Sequence, residues 1–320
     1  MDFLKGMNTL TEIPFQSLLD WCELCPRKFA RWRGRYGKAN EHNARVPRDH
    51  WLEEWERQSI IDYARQHPLE GYRNLTFMML DADAAAVAPT TTYRVLKAAG
   101  LIGRGGGKPS QKGTGFVQPL APHEHWHVDF SYLNIGGVFY FLCAVLDGCS
   151  RMIVAWDIRT TMREIDSEIV LQKAREAYPE ARPRIITDQG SQFKSREFKS
   201  FINQWQASHV MTSPYYPQSN GKLERFHQTL KDQAIRPLTP LDLDDAKRIT
   251  GDFIGYYNTI RLHSAIGYIA PVDRLHGRQH QIHAARDKKL EDARHRRKMA
   301  RQTTFPTTRH HAHQTIPAIA

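Results

Sequence analysis

The chain has 320 residues, with 45 Lys plus Arg against 34 Asp plus Glu and a formal net charge of +11 at pH 7, and an isoelectric point near 9.5. That length leaves room for two or three domains and a substantial core, and the basic excess favours a polyanionic partner, because each neutralised phosphate releases condensed counterions. No apolar run approaches the roughly 20 residues of a membrane span and the N-terminus lacks a secretory apolar region, so the expectation is a cytoplasmic protein with no membrane partner; its four cysteines do not make a disulfide framework.

Residues 14 to 36 read as two short helices around a tight turn. Phe15, Leu18, Leu19 and Trp21 lie on the first, and Phe29, Trp32 and Tyr36 on the second. The second also presents Arg27, Lys28, Arg31, Arg33 and Arg35, a helix-turn-helix pattern with the DNA-reading element second; a solvated basic helix is the plainer alternative. The Cys22-x-x-Cys25 pair invites a zinc reading, but no second Cys pair follows. Cys25-Pro26 instead opens a helix, with Pro where a missing N–H costs nothing.

A second helical unit is expected over 51–102. Trp51 to Trp55 and Ile60 to Ala64 keep a helical period, and Gly71-Tyr72-Arg73 opens the next segment. Pro89 to Lys97 then forms a helix that stops at Gly100, with Thr90, Thr91 and Arg94 available to face DNA. Residues 103–122 follow as a Gly-rich basic linker, in which Arg104, Lys108 and Lys112 would track phosphate.

From 123 the pattern changes to strands. Runs at 125–133, 138–146 and 151–158 are joined by Gly136-Gly137 and by Asp147-Gly148-Cys149-Ser150, which suits an antiparallel meander. A helix at 163–178, a strand ending at Asp188, a helix at about 195–205, a short strand at 208–212 and a helix carrying Glu224 complete this region, which is bounded at 123–277. Beyond 278 the chain is rich in Arg, Lys and His, and is expected to be a basic tail, helical to about 302.

Three carboxylates stand out. In His125-Trp126-His127-Val128-Asp129-Phe130, strand alternation puts His127 and Asp129 on one face and the apolar residues on the other. Asp188 closes Arg184-Ile185-Ile186-Thr187-Asp188. Glu224, after 35 intervening residues, follows a loop rich in Pro, Ser, Asn and Gly. Two strand-borne Asp and one helix-borne Glu make an oxygen-ligand site for Mg²⁺ or Mn²⁺. Asp147 is the fallback ligand, although Asp-Gly-Cys-Ser reads as a turn with an Asx cap. Lys222 and Lys231 share the Glu224 helix and are candidates to contact DNA phosphates.

These segments resemble the DDE transposase and retroviral integrase superfamily, specifically transposases of bacterial insertion sequences. The resemblance rests on the Asp-to-Glu interval, on Thr187-Asp188-Gln189-Gly190-Ser191-Gln192-Phe193, and on the box from Ser213 to Arg225. It also rests on the basic Lys231 seven residues beyond Glu224. Gln189 departs from the Asn of many relatives but keeps an amide. The stretch from Gly71 to Lys97 resembles the helix-turn-helix region ahead of the core, and Tyr256-Tyr257-Asn258, Arg261-Leu262-His263 and Ile266 to Pro271 resemble its closing stretch.

The resemblance implies an α/β ribonuclease-H-like core, a mixed five-stranded sheet with flanking helices, preceded by all-α helix-turn-helix units over 1–50 and 51–102. It implies two ions about 3.5–4 Å apart, bridged by Asp129 and completed by Asp188 and Glu224. The implied reaction is hydrolysis at transposon ends followed by attack of the 3′-hydroxyl on double-stranded target DNA, carried out by a homodimer or larger assembly at the bacterial nucleoid. A DNA-binding nuclease or a transposase-derived regulator without strand transfer is the alternative.

Overall fold

A computed structural model describes residues 2–36, 51–102, 118–212 and 221–304. Most of the basic linker, with Arg104, Lys108 and Lys112, and the loop 213–220 lie outside the described residues. Two compact units emerge, residues 1–51 with 298–320, and residues 52–297.

In the first unit, α1 (Asp2–Thr11), α2 (Phe15–Trp21) and α3 (Pro26–Arg35) gather around Leu4, Leu18, Leu19 and Phe29. Helix α1 was not expected from the sequence. Cys22 closes α2, while Cys25 caps α3 with Pro26 at its first position, as the Cys-Pro junction requires.

The second unit begins with α4 (Glu54–Gln66), α5 (Tyr72–Asp81) and α6 (Pro89–Ala98), packed through Ile60, Leu75, Met79, Val87 and Leu96. Thr76 and Thr92 are buried with their hydroxyls 2.8 Å apart, and the Thr76 hydroxyl also reaches the Tyr72 carbonyl at 2.7 Å, so the polar pair between α5 and α6 is held by hydrogen bonds.

The sheet is built from β1 (His125–Ile135), β2 (Val138–Asp147), β3 (Ile153–Arg159), β4 (Arg184–Thr187) and β5 (Ser208–Met211), in the order β3-β2-β1-β4-β5. Strands β1 to β3 pair antiparallel, and β4 pairs parallel with both β1 and β5, giving a mixed five-stranded sheet with flanking helices, the arrangement that the sequence resemblance implies. Gly136 and Gly137 take φ of +57° and +85°, the left-handed pair that a two-residue hairpin loop demands. The nearly unbroken apolar run Val138 to Leu146 explains why β2 lies inside the sheet, covered on both faces.

One face is covered by α7 (Glu164–Ala177) and α8 (Arg196–Gln204), which pack on Trp126, Val128, Cys143, Val145 and Ile185. The other is covered by α9 (Gly221–Leu230) and α11 (Leu243–Thr259), against Leu133, Ile135, Leu142, Ala144 and Leu146. Between these helices the chain makes a π-turn at Lys231–Ile235 and the short α10 (Arg236–Leu238). Asn258 docks α11 on the free edge of β3, its amide exchanging two hydrogen bonds of 2.9 Å with the backbone of Ile153.

After α12 (Pro271–Leu275) comes α13 (Gln279–Thr304). The sequence set everything past 277 apart as a tail, but α13 packs on the 52–102 helices. Arg297 is buried and grips buried Glu56 with bonds of 2.8–3.0 Å, adding one of 2.7 Å to the Ala86 carbonyl. One turn series earlier, Arg286 clasps Asp81 through 2.8 and 2.6 Å bonds and lies over the Phe77 ring. Among the described residues no helix is long and apolar enough to cross a membrane.

Candidate active site

Strand register brings the two aspartates together. In the parallel β1–β4 pair, His125, Trp126 and His127 stand opposite Arg184, Ile185 and Ile186; the same register carried two residues on sets Asp129 beside Asp188, just past the end of β4. The odd-numbered residues of β1 face α9, as Leu133 and Ile135 show by packing with Leu223, Phe226 and Leu230. Asp129 shares their parity. Ile185 packs with Trp126 on the opposite face, so Ile186 and Asp188 have the parity of the α9 side.

Helix α9 presents Glu224 to the same place. Leu223, Phe226, His227 and Leu230 are buried, leaving Glu224 exposed at the edge of that apolar stripe. The electrostatics register the convergence: burial first, and then the charge of Asp188, push Asp129 up to about 7, with Glu224 adding to the rise and the Phe130 amide opposing it. That amide donates to Asp129 Oδ1 at 2.9 Å.

The residues after Asp188 hold it in place. Gly190 N–H donates to Asp188 Oδ1 at 3.0 Å, and the Gln189 amide donates to the Thr212 carbonyl at 3.1 Å, tying the ends of β4 and β5. A Cβ at Gly190 would stand 2.3 Å from the amide of Gln192, a side chain buried beside Phe193. The Gln-Gly-Ser-Gln-Phe run is therefore a packed hook that sets the Asp188 carboxylate. Asp147 is excluded from this group: it is fully buried and accepts from His123 N–H, Ser150 N–H and Ser150 Oγ at 2.5–2.8 Å, the Asx turn that its sequence indicates.

Three carboxylates with no His or Cys form a hard-oxygen donor set suited to Mg²⁺ or Mn²⁺. Among the described residues no group of three or more His, Cys, Asp and Glu is drawn tightly enough to hold an ion. The three thus share one electrostatic field without closing a ligand cage, and a dication would relieve both causes of the raised Asp129, its burial first and then the charge of its neighbours.

The basic candidates fall in different settings. Lys222 is half-buried and donates to the Gly148 carbonyl at 3.1 Å, holding the β2–β3 turn; burial and then Arg151 lower its pKa to about 7. Lys231 is half-buried where the π-turn begins, so the two-turn spacing from Glu224 ends where the regular helix ends. Burial and then Arg236 lower its pKa. Arg27, Lys28 and Arg31 are exposed on α3, with Lys28 Nζ 5.1 Å from the Trp32 ring centre. On α6, Thr90 and Arg94 are exposed and Thr91 is partly so.

Two integrase core domain profiles match the chain, over residues 119–217 and 205–271. The transposase for insertion sequence element IS904 of Lactococcus lactis is 30% identical over 155 residues, 48% of this chain and 61% of that protein. A protein of insertion element IS476 from Xanthomonas euvesicatoria is 27% identical over 218 residues, 66% of this chain and 62% of its own length. The chain thus spans about three fifths of both relatives. Transposase InsD of Escherichia coli is 25% identical over 226 residues, covering 66% and 75%. Among solved structures, the HTLV-2 integrase catalytic core domain in complex with magnesium gives a TM-score of 0.41 at 18% identity, over 49% of this chain and 99% of that one, a likeness too loose to carry an argument.

Proposed function

We propose that the chain is a DNA transposase of the DDE type found in bacterial insertion sequences, which binds transposon ends, cleaves them and joins them to target DNA; the integrase core domain match over residues 119–271 and the likeness to insertion-sequence transposases support this reading. The observation that carries this reading is the convergence of Asp129, Asp188 and Glu224 from two neighbouring strands and one covering helix, where burial and then the charges of Asp188 and Glu224 push Asp129 up to about 7. Mg²⁺ or Mn²⁺, two ions on this reading, would be held by those three carboxylates and would supply activation of the attacking oxygen and neutralisation of the leaving one.

The reaction needs no energy source and no covalent link to protein. Water oxygen attacks phosphorus at the transposon end, the bond to the 3′-oxygen breaks, and a 3′-hydroxyl is left. That hydroxyl attacks a target phosphodiester, one P–O bond forms as one breaks, and the target strand's 3′-oxygen departs. The protein's part is to position: the β1–β4 register fixes the spacing of the aspartates, and the hook from Gln189 to Phe193 keeps Asp188 turned inward. Exposed Arg27, Lys28 and Arg31 on α3, with Thr90, Thr91 and Arg94 on α6, supply end binding, α1–α3 and α4–α6 acting as helix-turn-helix units. Lys108 and Lys112 add phosphate contacts, and pairing two ends calls for a homodimer or larger assembly.

The test is incubation of purified protein with Mg²⁺ and labelled DNA carrying the ends of the element. Joined products are expected. Cleavage alone would leave a nuclease and binding alone a regulator. Asp129→Asn, Asp188→Asn and Glu224→Gln should each lose cleavage and joining while keeping end binding, and retained joining in any of them removes that residue from the site.

A further inference from the structure

Helix α9 has two polar stripes. Glu224, Gln228 and Lys231 line the first; Arg225 and Thr229 form the second, about 100–140° further round the helix. The second stripe borders a cavity of about 110 Å³, lined also by Arg261, His263 and Ser264 and closed on one side by Asn74 of α5. One buried water needs on the order of 10–15 Å³ by this kind of measure, so the cavity is roomy enough for a larger polar group.

Its charge is one-sided. Among the described residues, Arg225, Arg261 and the neighbouring Arg151 make no ion pair with any carboxylate. Arg261 Nε has only the amide oxygen of Gln233, at 3.3 Å, and its guanidinium lies 5.9 Å from the Tyr257 ring centre. Arg151 Nε is buried with no hydrogen-bond partner. The nearby acids are otherwise engaged: Glu70 by the Asn74 amide at 2.8 Å and the Tyr256 hydroxyl at 3.1 Å, and Asp147 by Ser150 and His123. His263 reports the resulting potential. Burial first, and then Arg151, Arg261 and Arg225, push its pKa down to about 4.

Gathering three guanidiniums with no carboxylate in ion-pair contact, Asp147 acting on Arg151 only from a distance, costs free energy, and the planar fork of each matches a tetrahedral oxyanion. We propose that the Arg225–Arg261 pocket is a phosphate site that takes a backbone phosphate of DNA, with Ser264 as an added hydroxyl donor and Arg151 supplying charge from behind. This rests on the DNA reading above and adds a contact on the same helix as Glu224. A phosphate gripped there would index the DNA strand relative to the carboxylates, through a helix too short to flex between the two.

The test uses the full chain and a DNA duplex of arbitrary sequence, with affinity measured across a salt series for wild type, Arg225→Gln, Arg261→Gln and Arg261→Lys. One lost phosphate contact lowers the slope of log K against log salt by about 0.9. Both Gln variants should show that fall, and Arg261→Lys should recover part of it. In parallel, inorganic phosphate at constant ionic strength should raise the melting temperature of wild type but not of the Gln variants.

Wild-type slopes in both Gln variants overturn the proposal. So do unchanged slopes combined with loss of phosphate stabilisation, which would make the pocket a free-anion site. Should Arg261→Gln fail to fold, the exposed Arg225 carries the same test. A wild-type chain that binds no DNA removes the transposase reading and the pocket together, an outcome distinct from failure of the pocket alone.

Discussion

Replacing Asp129 by Asn should stabilise the metal-free protein while ending its chemistry. Burial and then the charge of Asp188 push Asp129 from the usual 3.8 up to about 7 in the folded chain, a penalty on its charged form on the order of 4 kcal/mol at about 1.4 kcal/mol per pH unit. The sign follows from proton linkage. A carboxyl with a raised folded pKa binds more protons folded than unfolded between pH 3.8 and about 7, so the wild-type protein loses stability as pH rises through that window and stays at its lowest above it.

Asn carries no such charge and keeps an oxygen to accept the Phe130 amide. The variant should match wild type near pH 4 and exceed it by an amount on the order of 2–4 kcal/mol near pH 8. Urea unfolding followed by tryptophan fluorescence, with a chelator present, reads this directly. Adding Mg²⁺ or Mn²⁺ near pH 8 should then raise wild type and leave the variant unmoved, because only an ion that binds the folded state shifts the equilibrium. A variant less stable than wild type near pH 8, or a gap that does not change with pH, would refute the idea that burial and the neighbouring carboxylates together penalise a charged Asp129.

Three further outcomes are expected. Glu56→Gln strands the buried Arg297 guanidinium and should cost about 3–5 kcal/mol in urea unfolding, whereas replacing both residues by Met should recover most of the loss; equal losses would mean the pair is not coupled. Lys231→Ala should lower the salt slope of end binding by about one counterion and slow joining, and identical slopes and rates would assign Lys231 to the protein interior alone. Removing residues 1–51 should leave the melting of the remainder nearly unchanged, while removing 1–102 should depress it sharply, since Arg286 and Arg297 lose Asp81 and Glu56; equal melting temperatures would deny α13 its part in the fold.

The strands that carry Asp129 and Asp188 were legible because their signals are local. Alternation in His125 to Phe130 and a short apolar run into Asp188 mark both strands, the β1–β4 register that sets the two aspartates side by side comes from the structure alone, and the meander expected over 125–158 is the one found, within a few residues. What escaped was set by partners far along the chain. Helix α13 reads as solvated because arginine usually is, yet Arg286, Ala293 and Arg297 are all buried, on a spacing that returns to one face of the helix after three turns. Lys222 reads as a phosphate contact, and nothing in its local sequence reveals that it also holds the Gly148 carbonyl. Arg261 and His263 are visible as a motif, but nothing local reveals that Arg151 and Arg225 meet them.

The ion pair between Glu56 and Arg297 spans 241 positions, and this sets a clock on the nascent chain. At about 5–20 residues per second, the helices that bury Glu56 wait on the order of ten seconds to a minute for the one side chain that neutralises it. Until then a carboxylate must either stay in water, with the α4–α6 cluster half-open, or enter an apolar core unpaired. A message cut short between the codons for Thr259 and Arg297 therefore releases a chain that has all five strands and their covering helices but lacks the side chain that neutralises Glu56, leaving the α4–α6 cluster weakened and its apolar surface for proteases and chaperones to find. Completion of translation becomes a condition of being armed.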